Sequence, residues 1–243
     1  MISKLLFAVL AVQTPAPTAL TWKPTLLDSA QWERTFEYFD SEGKRVYARH
    51  ISGTAKTTQK DSKGRFTTLI DWVLQKEFLE EEELAVAGSL KWQVKETRAP
   101  SGFLEFRESP AEDLGLDAFY SACLTPIFPA KSVSVGDKWE REYQTFDLAN
   151  LPKTKVVATL ARLEPKEKPV TAIVTGTIAE LVEEALALKG TFEWTVDLKD
   201  GHLVKATATV PKGYIPGDEE AESVRVELKH TCKEWKPAKK PKL

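Results

Sequence analysis

Apolar and polar residues alternate along most of this chain, and short polar loops interrupt the alternation. Phe66, Thr68, Ile70, Trp72 and Leu74 fall on one face of an extended segment. Phe192, Trp194, Val196 and Leu198 do the same against Thr191, Glu193, Thr195 and Asp197. A period of two sends successive side chains to opposite faces of a pleated strand. Asp40-Ser41-Glu42-Gly43 and Asp61-Ser62-Lys63-Gly64 supply turns with Gly where positive φ is needed. The pattern predicts strands at Trp32 to Phe39, Arg45 to Thr57, Arg65 to Gln75, Leu84 to Val94 and Gly102 to Arg107. After a break it predicts more at Trp139 to Phe146, Lys155 to Leu163, Val170 to Leu181, Phe192 to Leu198, Leu203 to Val210 and Glu222 to Cys232. Ile178 to Leu188 is rich in helix formers and is read as the end of a strand followed by a loop.

The break itself has helical signals. Ser109-Pro110-Ala111-Glu112 offers an N-cap Ser, Pro at the first helical position and Glu two residues later. Phe119, Tyr120, Cys123 and Leu124 have helical spacing, and Pro126 and Pro129 end the segment. Two blocks recur on either side of it. Trp32-Glu33-Arg34 returns as Trp139-Glu140-Arg141, and Gly88 to Val94, with Trp92, returns as Gly190 to Val196, with Trp194. The expectation is an all-β fold with minor α content. An internally duplicated antiparallel meander of about 10–11 strands forms a curved sheet, half-barrels or a barrel, with one short helix between the halves. The predicted boundaries are 1–24 signal peptide and linker, 25–108 first β repeat, 109–130 helical connector, 131–235 second β repeat and 236–243 disordered tail.

With 42% hydrophobic residues, 29% charged residues and a formal net charge of −2, the composition is that of a globular protein and gives no reason to expect nucleic acid as a partner. The N-terminus narrows the compartment. Lys4 precedes the apolar run Leu5 to Val12, followed by Gln13-Thr14-Pro15-Ala16-Pro17. That is the order of a secretory signal peptide, with Val9-Leu10-Ala11 the best cleavage triplet. The expected location is therefore exported, periplasmic or extracellular. The run is too short to span a bilayer, and no transmembrane segment is expected after cleavage. In an exported chain Cys123 and Cys232 are a candidate disulfide, and two free thiols are the other reading.

Pro129-Ala130-Lys131-Ser132-Val133-Ser134-Val135-Gly136-Asp137-Lys138-Trp139 resembles a segment of uncharacterised exported bacterial β-proteins with a Pro-Val-x-Val-Gly-Asp-x-Trp pattern; Ser132 stands where they have the second Pro. Gly190 to Leu203 is similar to their Gly, apolar strand, Asp-x-x-x-Gly-x-Leu stretch. The resemblance implies an envelope β-domain, with architectural similarity to LolA-like lipoprotein carriers. It implies no activity and no site.

Catalytic signatures are missing from the sequence. There is no Gly-x-Ser-x-Gly, no His-Glu-x-x-His and no phosphate-binding loop, and His50, His202 and His230 are far apart. Glu80 to Glu83 and Asp218-Glu219-Glu220 lack the spacing of a calcium loop. No catalytic residue, metal or cofactor is expected. The remaining candidates concern binding. Trp72, Trp92, Trp194 and Phe192 would line a concave apolar face, although aromatics on an alternating face are normally core. Arg34 and Arg141 would meet an anionic group there, or else stack on their neighbouring Trp. The sequence thus points to a non-enzymatic protein that binds a hydrophobic or lipid-like small molecule. The alternative is a structural protein with a filled core that contacts an envelope protein.

Overall fold

The computed structural model describes residues 17–85, 90–109, 118–144, 153–181, 188–215 and 222–238. The apolar run 5–12, Pro110 to Glu112 and the acidic run 218–220 lie outside them. The strands are β1 (Ser29–Phe39), β2 (Arg45–Lys60), β3 (Phe66–Leu79), β4 (Glu82–Glu83), β5 (Lys91–Arg98) and β6 (Leu104–Glu108). Helix α1 (Ala118–Cys123) follows. Then come β7 (Lys138–Gln144), β8 (Lys153–Glu164), β9 (Thr171–Leu181), β10 (Lys189–Asp197), β11 (Leu203–Gly213) and β12 (Val224–Lys236). The period-two pattern had placed most of these elements to within a few residues; β5, expected at Leu84 to Val94, runs from Lys91 to Arg98 instead. Within the acidic run Glu80 to Glu83 the chain folds back so that Glu82 and Glu83 pair with β3.

All twelve strands form one antiparallel sheet in the order β6-β5-β3-β2-β1-β12-β11-β10-β9-β8-β7, with β4 on β3. Two meanders, β1 to β6 and β7 to β12, are therefore joined edge to edge through β1 and β12. Eleven register pairs from Ser29↔Lys236 to Phe39↔Arg225 form that joint. The sheet curves but does not close. Its edges are β6 and β7; the ring of Phe103, just before β6, lies 5.5 Å from that of Tyr143 on β7.

Matched rows run across the two meanders. In the first, Trp32, Gly53, Trp72 and Trp92 sit opposite one another on β1, β2, β3 and β5. In the second, Trp139, Ala158, Gly176 and Phe192 do so on β7, β8, β9 and β10. The register thus matches Trp92 with Phe192, two residues from the sequence pairing of Trp92 with Trp194. Each row holds a Gly beside a large ring. A Cβ at Gly53 would lie 2.5 Å from the Trp72 ring, and one at Gly176 would lie 2.6 Å from Phe192. Only a bare backbone lets these rings lie flat on the sheet.

The connector between the meanders fills much of the concave side. Phe119, Tyr120, Cys123, Leu124, Ile127 and Phe128 are all buried. Two indoles hold it, the Trp194 Nε1–H donating to the Cys123 carbonyl at 2.9 Å and the Trp139 Nε1–H to the Ile127 carbonyl at 3.0 Å. Tyr120 Oη donates to the Tyr214 carbonyl and accepts from the Tyr214 N–H.

Three expectations need correction. Residues 17–24, expected as part of a linker, are bonded to the sheet and connector. Thr18 pairs with Val133, Trp22 N–H donates to the Pro100 carbonyl and Lys23 N–H to the Asp200 carbonyl. Burial of Leu20 contributes to holding this strap alongside those backbone bonds. The tail also starts later than expected. Lys236 still belongs to β12 and the Ala238 N–H donates to Asp28, while residues 239–243 lie outside the described ones. Finally, Cys123 and Cys232 are free thiols. Helix α1 carries Cys123 beneath Trp194 of β10, whereas Cys232 stands opposite Trp32 at the β1–β12 joint.

Candidate functional site

Arg34 is an even-numbered residue of β1 and so shares the concave face with Trp32, Phe36 and Tyr38. On β12 the same alternation brings His230 directly opposite it. Arg34 Nε–H donates to His230 Nδ1 at 3.1 Å, and the guanidinium lies 4.8 Å from the centre of the Trp72 ring. A neutral imidazole that accepts at Nδ1 carries its proton on Nε2. That Nε2–H is buried without a hydrogen-bond partner.

Strand β5 continues its inward face past Trp92 and Val94 to Glu96 and Arg98. Arg98 Nε and Nη2 both donate to Glu96 Oε2, at 3.0 and 2.7 Å, and Nη1 donates to the Gly102 carbonyl. Both side chains are only 12% exposed. Arg107 of β6 pairs in register with Glu96. These groups surround a cavity of about 40 Å³, closed on one side by Trp22 of the strap and on another by Ser121, Leu124 and Pro126 of the connector. A second recess of about 20 Å³ shares Trp22, Trp32, Glu96 and Arg98 with it.

The electrostatics follow from burial and proximity. Burial pushes the Arg34 guanidinium down to about 10; Glu96 opposes the shift, and Arg98 and Arg107 add to it. Burial alone would raise Glu96, but Arg98 and Arg107, helped by Arg34, outweigh it and hold the carboxylate below its ordinary value. Burial, then the charge of Arg34, hold His230 well below the ordinary histidine range. Near neutral pH the described lining residues therefore include a charged Arg34, a Glu96 carboxylate and a neutral His230 imidazole.

The structure brings together only part of the sequence-predicted set. Arg34 and Trp72 line the cavity, and Trp92 stacks on Trp72 at 6.4 Å. Trp194 and Phe192 stack on each other at 3.7 Å in the packed core beneath the connector. Arg141 lies on edge strand β7, six strands from β1 in sheet order, and does not line this cavity. Sequence reasoning missed His230, Glu96, Arg98 and Arg107. The first carried a signal, since Val224, Val226, Leu228 and His230 continue one alternation; the others become neighbours only through strand pairing.

Among the described residues, one trio could offer metal ligands: Asp197, Asp200 and His202, in the β10–β11 turn. The turn already uses these groups. Asp197 accepts the Lys199 N–H at 2.7 Å, and His202 bonds Asp200 and stacks on Trp235 at 4.5 Å. No helix of the described residues is long and apolar enough to cross a membrane.

No protein-family model matches this sequence, and no curated protein does. The fold is similar to a solved structure described as lipid–protein interactions in lipovitellin. The similarity has a TM-score of 0.53 at 11% identity over 90% of this chain. The chain spans about a quarter of that protein's length, 26%. At this identity the likeness speaks for the fold, a large curved antiparallel sheet.

Proposed function

We propose that this is an exported, non-enzymatic binding protein whose concave sheet face receives an amphipathic, lipid-like ligand. The observation that carries the reading is the recess at Trp22, Trp32, Trp72 and Arg34. It joins an aromatic floor to buried charge, and its outer wall belongs to the connector and strap. Amphipathic ligands are held in this way, by apolar walls and a few placed polar groups. The fold's likeness to a structure described by lipid–protein interactions agrees with the reading. The volume sets its terms. About 40 Å³ admits a head group, so an attached chain would have to displace the connector at Ser121 to Pro126.

The second reading is a structural protein that contacts an envelope partner through its outer surface. The dense packing of Trp194, Phe192 and α1 in the concave side favours it. Native mass spectrometry of protein purified from its own host separates the two. Binding predicts a co-purified amphiphile that denaturation releases. An unliganded mass under gentle conditions would favour the structural reading.

A further inference from the structure

The turn that leads the strap into β1 shows an apolar pair to solvent. Leu26 is 50% exposed and Leu27 55%, and among the described residues no other large apolar neighbours in sequence are both exposed. Single scattered leucines need no explanation; a contiguous pair does. Leu27 also has φ 71°, in the left-handed region, where a bulky side chain is strained and Gly is at ease. The surroundings hold it there. Thr25 N–H and Oγ1–H both donate to the carboxylate of buried Asp28. The Leu27 N–H donates to the Thr57 carbonyl at 2.9 Å, and the Thr57 N–H to the Asp28 carbonyl at 2.9 Å. The backbone would be better served by Gly at 27, and strain fixed in this way points to a use for the side chain.

Lysines flank this turn. Lys56 and Lys236 both stand opposite Ser29 in register, Lys60 Nζ donates to the Pro24 carbonyl at 3.1 Å, and Lys23 precedes Pro24. Lys23, Lys56 and Lys60 are exposed and make no ion pair among the described residues. The carboxylates of the same segments are engaged, Asp28 in the turn, Asp61 with Arg65 at 2.6 Å and Glu234 with Lys236 at 2.7 Å. The Ala238 N–H donates to Asp28 at 2.7 Å, and Lys239, Lys240 and Lys242 follow Ala238 in sequence. Apolar side chains among free ammonium groups match a surface with an apolar interior and an anionic boundary.

We propose that the Leu26–Leu27 turn docks this protein on an anionic lipid bilayer, with both leucines entering the interface and Lys23, Lys56 and Lys60 meeting the head groups. Two side chains on a turn are too small a patch for a stable protein interface, which buries roughly 800 Å² on each partner. A bilayer needs only shallow insertion and opposite charge. The smaller recess, lined in part by Asp28, Lys56 and Thr57, adjoins this turn, so docking brings it to the lipid. The docking does not depend on what the recess holds.

The test is co-sedimentation of protein purified from its own host with vesicles. Phosphatidylcholine vesicles containing about one-third phosphatidylglycerol are compared with pure phosphatidylcholine. The expected result is binding to the anionic vesicles that falls with added salt. Leu27→Gly should weaken it about ten-fold, the contribution of one buried leucine. The thermal midpoint of that variant should stay level or rise, because Gly takes this φ freely. Lys56→Gln should weaken binding about five-fold. Leu79→Ser, matched in exposure at the far end of β3, should leave binding unchanged. Leu26→Ser repeats the measurement if Leu27→Gly does not fold. Vesicle binding by protein that co-purifies with no amphiphile would keep this surface and remove the ligand reading above. Binding indifferent to phosphatidylglycerol, or unchanged in the leucine variants, overturns the docking. A dimer in sedimentation without vesicles that Leu27→Gly dissolves would assign the turn to a second copy and also overturn it.

Discussion

His230 shows how one buried side chain couples the site to stability. Its imidazole is held neutral in the folded protein by burial and by Arg34, whereas in the unfolded chain it takes up a proton near pH ~6.5. The unfolded state thus binds more protons below that pH, so stability is full above it and declines as pH falls. One such group gives a slope of at most about 1.4 kcal/mol per pH unit. Buried carboxylates with lowered values, such as Glu96, act below the carboxylate range and leave the window from about pH 5.5 to 7.5 to histidine. His50, also lowered by burial, adds a smaller slope in the same sense. Urea unfolding across this window should show stability falling toward acid, and His230→Gln should flatten most of the slope. A wild-type protein equally stable throughout the window would contradict this assignment.

At the scale of elements, the connector decides how much of the concave side is open. Its six-residue helix is too short to be stable alone and depends on its docking contacts. Trp194 supplies both a buried ring and the hydrogen bond to the Cys123 carbonyl. Trp194→Phe keeps most of the ring and leaves that buried carbonyl without its donor. The expected loss is about 1–3 kcal/mol in urea unfolding, with increased hydrogen exchange across residues 118–128. If exchange there stays at the wild-type level, the indole is not what holds the connector. The strands were easier to read than this docking. A period-two alternation is local, and it placed β2, β3, β8 and β9 closely. The strap at 17–24 was misread because its Pro content resembles a linker, and only Leu20 and the backbone bonds to Val133, Pro100 and Asp200 reveal it as packed.

For the whole molecule, the order of strands means that neither meander has a separate core. β1 pairs with both β2 and β12, so the first and last strands form the middle of the sheet. With the first and last strands paired at its centre and one contiguous hydrophobic core, the sheet is expected to unfold as a unit. The indoles report on both meanders, Trp32, Trp72 and Trp92 on one and Trp139 and Trp194 on the other. Tryptophan emission and far-ultraviolet circular dichroism should therefore give one coincident urea transition. Two separated transitions would mean that the meanders fold independently.

The sequence by itself determined the strand content, most turns, the helical break and the choice of inward-facing residues. Each depends on neighbours within a few positions, where alternation and Gly placement act directly. The candidate site was legible only in part. Arg34 and Trp72 stood out because both occupy the inward face beside other aromatics. Their partners came from β5, β6 and β12, up to 196 positions away along the chain. Which strand lies beside which was not legible: the order β1-β2-β3-β5-β6 puts Arg34, Glu96, Arg98 and Arg107 around one cavity, the β1–β12 joint adds His230, and the docked connector closes it. Those are long-range pairings whose register follows from burying a whole sheet face at once, and no local pattern encodes them. The separation of Cys123 from Cys232 has the same origin.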